Sequence, residues 1–174
     1  MTDDIEKASI ALRSAVPGDV ETILRFVNEL AEYEDLAHQV VATAEDLYEA
    51  LFGQKPVAEV LIADIDGTAV GFALFFISYS TFLGRPGIYL EDLYVTPAAR
   101  GRGAGMALLT QLAMLARERG YGRVEWAVLD WNAPAIDFYE RIGAHPLEEW
   151  VTYRLAGAEL AAAGRSSAGV PANE

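Results

Sequence analysis

The chain has 174 residues, 52% of them apolar, a formal charge of −13 and no cysteine. That length suits one domain with its own core. The missing cysteine excludes disulfides, thiolate metal sites and a cysteine nucleophile. The acidic balance argues against nucleic acid, which demands a basic surface. It would also steer a cationic substrate inward, although ordinary solubility explains it equally well.

The opening M-T-D-D-I-E-K lacks the basic start and apolar run of a signal peptide. No apolar stretch is long enough to span a membrane. A cytoplasmic protein without membrane or nucleic-acid partners is expected, and no metal is called for. His38 and His145 lie in expected loops and in no recognisable motif, so a serine–histidine triad is not indicated.

Residues 1–7 read as loose, and residues 8–14 alternate as a first strand. Pro17-Gly18-Asp19 opens a helix whose apolar stripe is Val20, Ile23, Leu24, Val27, Leu30 and Ala31. Its far end carries Glu29, Glu32, Glu34 and Asp35, where the helix dipole favours cations. That placement suits either a solvated helix end or a site for positive ligands. Thr43-Ala44-Glu45-Asp46 is a capping box for a short helix that ends at Gly53. Residues 58–65 and 69–79 read as strands joined by an Asp66-Gly67 hairpin turn. Residues 80–87 hold Gly84, Arg85, Pro86 and Gly87 and read as a loop.

Residues 88–95 form the next strand, ended by Thr96-Pro97. Helical periodicity resumes at Met106, with Leu108, Leu109, Leu112 and Leu115 on one face, and stops at Gly120. Residues 123–129 read as a strand parallel to 88–95 through a right-handed crossover. Asp130-Trp131-Asn132 leaves the sheet, and Pro134 starts a helix to Ile142. Residues 150–155 read as a last strand, 157–163 as a turn or two of helix, and 164–174 as a disordered tail. The order gives a mixed α+β sheet flanked by helices, with residues 8–160 as a single domain.

Between strand and helix lie Arg100, Gly101, Arg102, Gly103, Ala104 and Gly105. A helix start offers unpaired amides and partial positive charge, glycines permit close approach, and two arginines add charge. This suits a diphosphate; a tight turn with solvated arginines is the plainer reading. The Walker pattern fails because Met106 follows Gly105. Gly101-x-Gly103-x-Gly105 has the wrong last interval for the dinucleotide fingerprint and comes late in the chain, though Asp130 stands near the place of a ribose-binding acid.

Arg100-x-x-Gly103-x-Gly105 after a strand resembles the acetyl-CoA signature of the GNAT superfamily of N-acetyltransferases. The likeness extends to Leu30-Ala31-Glu32-Tyr33-Glu34, Tyr79-Ser80-Thr81, Tyr89-Leu90-Glu91-Asp92 and Asp130-Trp131-Asn132 through Asp137-Phe138-Tyr139. These segments, in this order, resemble the spermidine/spermine and thialysine N-acetyltransferase branch over residues 8–160. The resemblance implies a mostly antiparallel sheet with a splayed parallel strand pair. Acetyl-CoA would lie there against Leu93, Tyr94, Val95 and Asn132, on the loop from Arg100 to Met106, and against Pro134, Ala135 and Tyr139. It also implies a homodimer.

Acetyl transfer to an amine needs a neutral amine, a stabilised oxyanion and a proton for the leaving thiolate. A backbone N–H near Leu93 would polarise the thioester carbonyl. Glu91 would face the cleft if Leu90 packs the other way, and could take the ammonium proton or anchor a cation. The Tyr139 hydroxyl could donate to the thiolate, and in the branch resembled the matching tyrosine is the general acid. The same resemblance places Tyr33, Glu34, Ser80, Glu125 and Trp126 on the substrate side.

Ser80 stands where polyamine-selective members carry aspartate, whereas Tyr79-Ser80-Thr81 matches the members that prefer thialysine. Their Glu-Glu-Gly-Trp stretch is replaced by Glu148-Glu149-Trp150-Val151. A small lysine-like or diamine-like primary amine is therefore expected. A protein lysine or N-terminal acceptor, and a non-catalytic acyl-CoA-binding module, are the alternatives.

Overall fold

The computed structural model describes residues 9–165. The loose start expected over residues 1–7, the first residue of the strand expected from Ala8, and the tail expected from Gly164, apart from Gly164 and Arg165, lie outside the described residues. The chain divides into two compact units, the first ending at Ala127 and the second beginning at Val128.

The first unit carries β1 (Ile10–Ser14), α1 (Val20–Tyr33), α2 (Ala44–Phe52), β2 (Glu59–Ile65), β3 (Thr68–Ser80), β4 (Arg85–Val95), α3 (Ala104–Glu118) and β5 (Val124–Trp126). The strands form one sheet in the order β1-β2-β3-β4-β5. The first three pairings are antiparallel, and β4 with β5 is parallel. The second unit carries α4 (Ala133–Arg141) and α5 (Gly157–Arg165).

Local chemistry accounts for the starts and turns. The Asp19 carboxylate accepts from Val16 N–H at 2.8 Å and receives the Arg13 guanidinium, so α1 begins anchored to β1. Arg13 also reaches Asp64 on β2 at 2.7 Å. Thr43 and Asp46 cap α2 reciprocally, as expected. Asp66 and Gly67 both take positive φ, 52° and 75°, as a tight two-residue turn requires.

Strand alternation sorts side chains onto two faces. Val60, Ile62, Phe72 and Tyr94 pack with Ile23, Phe26 and Leu51 of α1 and α2. Phe26 stacks on Phe72 at 5.7 Å and tilts against Tyr94 at 5.9 Å. The opposite face carries Phe75, Ile88 and Leu90, and α3 contributes Leu108 and Leu112; all are at most 2% exposed. Among the described residues no helix is long and apolar enough to cross a membrane.

Three expected boundaries are corrected. The loop 80–87 is shorter, because β4 begins at Arg85 and Pro86 pairs with Tyr79 inside the hairpin. Ile88 N–H donates away from β3, to Arg123 O at 3.0 Å, so by two-residue alternation the nitrogen of Pro86 also faces away from β3. Its missing donor therefore removes no bond from that ladder. The strand expected over 123–129 is only β5, because β4 departs from it beyond Leu90. The last strand expected over residues 150–155 does not form: the alternation of Val151, Tyr153 and Leu155 is there, but a strand exists only in a ladder, and the segment has none among the described residues.

Phe72 is fully buried, stacks on the Phe26 ring of α1 and pairs across the ladder with Tyr94 of β4. Phe72→Ala should therefore cost about 3–5 kcal/mol in urea denaturation, with an unchanged m-value.

Candidate active site

The site begins with a break in the β3–β4 register. Leu74 pairs with Asp92 and Phe75 with Leu90, so Glu91 is an extra residue in β4. A bulge of this kind bends its strand and shifts its side-chain parity. Leu90, 2% exposed, shares the face of Phe75. Asp92 shares the opposite face with Leu74, which packs against the α1–α2 core. Glu91, the inserted residue, is exposed.

The parallel pairing stops at the same place. Ile88, Tyr89 and Leu90 pair with Val124, Glu125 and Trp126, and the ladder goes no further. Thr96 N–H donates to Val70 O at 2.8 Å, on the β3 side. By alternation the amides of Leu93 and Val95 point the other way, into the gap where β5 has ended.

An acidic wall lines this region. α1 ends in a Schellman turn: Leu36 N–H donates to Ala31 O at 2.8 Å and Asp35 N–H to Glu32 O at 3.2 Å, with Asp35 at φ 59°. That turn sets Glu34, whose carboxyl burial holds above its ordinary range. Burial and the adjacent carboxylates of Glu91 and Glu34 push Asp92 up to about 6. Tyr89 is raised by burial and by the charges of Glu91 and Glu125. Asp92, which received no role from the sequence, is thus a carboxyl raised first by burial and then by its acidic neighbours. Its signal was its place in the Glu91-Asp92 pair, obscured because strict alternation would send it to the other face.

The other substrate-side residues divide. Arg123 Nε lies 2.7 Å from Glu125 Oε2, a close ion pair in which the N–H does not point along the contact. Trp126 pairs with Leu90 and so takes the face opposite Glu125. Ser80 is 6% exposed, and its hydroxyl accepts from Leu83 N–H at 3.2 Å, which braces the β3–β4 turn. Tyr33, the last residue of α1, lies under the Arg100 guanidinium, 4.9 Å from the ring centre.

The glycine loop follows β4. Residues Pro97–Ala99 make a single 3-10 turn, and Gly103 caps α3 at φ 96°. Gly101 is also left-handed, at φ 75°. Both positions demand glycine on backbone grounds. Gly105 does not: it lacks a positive φ, and a methyl there would meet only Val95 Cγ2 at 3.9 Å. Ala107 N–H donates to Gly103 O at 2.9 Å, the first helical bond of α3. The first-turn amides of α3, Ala104 to Met106, lie ahead of that bond and have no carbonyl within the helix to donate to. The loop therefore presents a run of donors at a positive helix end, with room in front of Gly105.

Asn132, Pro134, Ala135 and Tyr139 belong to the second unit. Asn132 caps α4, its Oδ1 accepting from Ala135 N–H at 3.4 Å, and Pro134 occupies the first turn. Tyr139 sits half-buried on α4 with its ring 5.5 Å from that of Phe138.

A mixed sheet whose parallel pair parts at a bulge, followed by an amide-rich loop, matches one family. The acetyltransferase (GNAT) family model covers residues 25–144, and the chain belongs to this family. It is an N-acetyltransferase, of a family that uses acetyl-CoA. The chain is 40% identical over 161 residues to the thialysine N-epsilon-acetyltransferase of Sus scrofa, covering 86% of this chain and 94% of that protein. It is 33% identical to an L-ornithine N5-acetyltransferase of Arabidopsis thaliana, covering 87% and 86%. Among solved structures, an integron cassette protein from the mobile metagenome of V. cholerae superposes with a TM-score of 0.76 at 27% identity, over 91% of this chain and 99% of that one.

Asp92 gives a pH test. Its folded value, about 6, lies above the ordinary 3.8, so the native state binds its proton more tightly than the unfolded chain. Its contribution to stability is present at low pH and is lost as pH rises from about 4 through 6. Asp92→Asn should therefore melt a few degrees above the parent at pH 7.5, with the difference closing near pH 4, in thermal denaturation by circular dichroism.

Proposed function

We propose that this enzyme transfers acetyl from acetyl-CoA to a small primary amine, lysine-like or diamine-like, within a ternary complex. The observation that carries this reading is the Glu91 bulge, which ends the parallel pairing where a pantetheine arm could enter and sets Asp92 beside Glu91 and Glu34. Amides of an extended arm can bond into such a gap as an added strand does. The Gly101–Met106 amides and Arg102 hold the diphosphate, and the space before Gly105 lets it come close.

The acidic wall of Glu34, Glu91 and Asp92 binds an ammonium group. Charge opposite in sign favours ionised carboxylates, so a bound cation draws Asp92 back toward its ionised form. Glu91, the more exposed of the pair, takes the proton from the attacking nitrogen directly or through water, which leaves the amine neutral. The Leu93 N–H stabilises the oxyanion of the tetrahedral intermediate. Tyr139 then donates its hydroxyl proton to the departing thiolate. Ser80 adds no negative charge, and its hydroxyl is occupied in the turn. That favours a short amine over a long polycation. The names of the thialysine and L-ornithine relatives agree with an acceptor of this size.

The reading includes the cytoplasmic location expected from the sequence, and a homodimer. The dimer is supported by the exposed apolar run of Trp150, Val151, Tyr153 and Leu155, an alternating segment without a ladder among the described residues.

A panel of thialysine, L-ornithine, putrescine, spermine and a lysine-containing peptide, followed by free-thiol release, tests the acceptor. Thialysine, L-ornithine or putrescine should exceed spermine and the peptide in kcat/KM by at least about tenfold, a difference of roughly 1.4 kcal/mol; turnover of the peptide alone would overturn the reading. Tyr139→Phe should lower kcat on the best amine by about a hundredfold or more and leave CoA affinity within about twofold.

A further inference from the structure

We propose that Arg100 is a positioning residue that couples the diphosphate loop to the amine side of the site through the ring of Tyr33. The inference rests on the acetyl-CoA and amine reading above and gives the two loop arginines separate tasks.

The sequence presents Arg100 and Arg102 as equivalent cations in one glycine repeat. The structure separates them. Arg102 is exposed and makes no ion pair or side-chain hydrogen bond among the described residues, so its charge is available to a diphosphate. Arg100 is engaged on three sides. Its Nε donates to Val95 O at 3.1 Å. Its guanidinium centre lies 4.9 Å from the ring centre of Tyr33 and 5.8 Å from that of Tyr94.

Each contact ties the loop to a different part of the site. The bond to Val95 O joins the loop to the end of β4, where the Leu93 and Val95 amides face the gap. The stack on Tyr33 joins it to the last residue of α1, next to Glu34. Tyr94 is itself hydrogen-bonded to Glu29 of α1, and Glu29 pairs with Arg25 at 2.7 Å. Arg100 therefore stands where the loop, β4 and α1 meet.

A loop held in its binding conformation loses less freedom when a ligand arrives. Through Arg100, that benefit depends on a residue of α1, which has no covalent proximity to the loop. By linkage, a contact shared between two sites makes each ligand respond to the other. A plain diphosphate ligand behaves differently. It needs positive charge at this position and is indifferent to Tyr33.

Calorimetric titration of CoA into the full chain separates the two. Coupling through the ring predicts that Tyr33→Leu weakens CoA binding about two- to fivefold, the scale of a partly exposed cation–π contact, while Tyr33→Phe, which keeps the ring, loses less than Tyr33→Leu does. Arg100→Ala should weaken CoA at least as much, and Arg100→Lys, which keeps charge but not the planar stack or the Nε bond, should fail to restore it. Tyr33→Leu should add nothing in the Arg100→Ala background. Parental CoA affinity in Tyr33→Leu, full rescue by Arg100→Lys, or additive losses in the double variant would each overturn the coupling while leaving the acetyl-CoA reading intact. A parent that binds no CoA would overturn that reading and the coupling with it.

Discussion

One inserted residue in β4 governs the site. Without the bulge at Glu91, strict alternation would carry Asp92 onto the face of Leu90, and an acid would enter the core beneath α3. With it, Asp92 turns to the face of the α1–α2 core and lies near Glu34 at the end of α1. The same irregularity bends β4 away from β5, so that two backbone amides face a gap rather than a neighbouring strand. On the proposed reading, substrate charge recognition and cofactor access would share this one geometric origin. A loss of pairing energy at one edge of the sheet is accepted because the antiparallel ladders on the other side hold β4 in place.

The site is electrically divided. The start of α3 supplies amide donors and partial positive charge, and Arg102 adds a full charge beside them. A short way along β4, Glu34, Glu91 and Asp92 gather negative charge under partial burial, which is why Asp92 resists ionisation. On the proposed reading, an anionic cosubstrate and a cationic acceptor would be held apart by sign and brought together only at the splayed strands. Such an arrangement lets electrostatics sort the two ligands before any close contact forms.

The sequence made the architecture legible where local chemistry decides it. The Asp66-Gly67 turn, the Thr43 capping box and the periodicity from Met106 all correspond to elements with nearby boundaries. It was least informative where partners decide: residues 123–129 and 150–155 alternate like strands, but alternation cannot tell whether a ladder exists. Nor does a bulge advertise itself, so the role of Asp92 was hidden in a motif already noticed. The glycine repeat was read as a single ligand signal, yet Gly101 and Gly103 are required by backbone conformation alone, which leaves Gly105 as the one whose smallness points outward. The equivalence of Arg100 and Arg102 likewise dissolves once their neighbours are seen.

The β3–β4 hairpin presents Ile77 and Tyr79 on one face and carries Phe82 and Leu83 at its tip, all more than half exposed. On a neutral protein this would be an adhesive patch. Here the chain carries a formal charge of −13, whose repulsion opposes non-specific contact through this patch within roughly 8 Å at physiological ionic strength. Concentrated salt collapses that barrier and strengthens apolar association together, so colloidal behaviour should turn on ionic strength far more sharply than folding does.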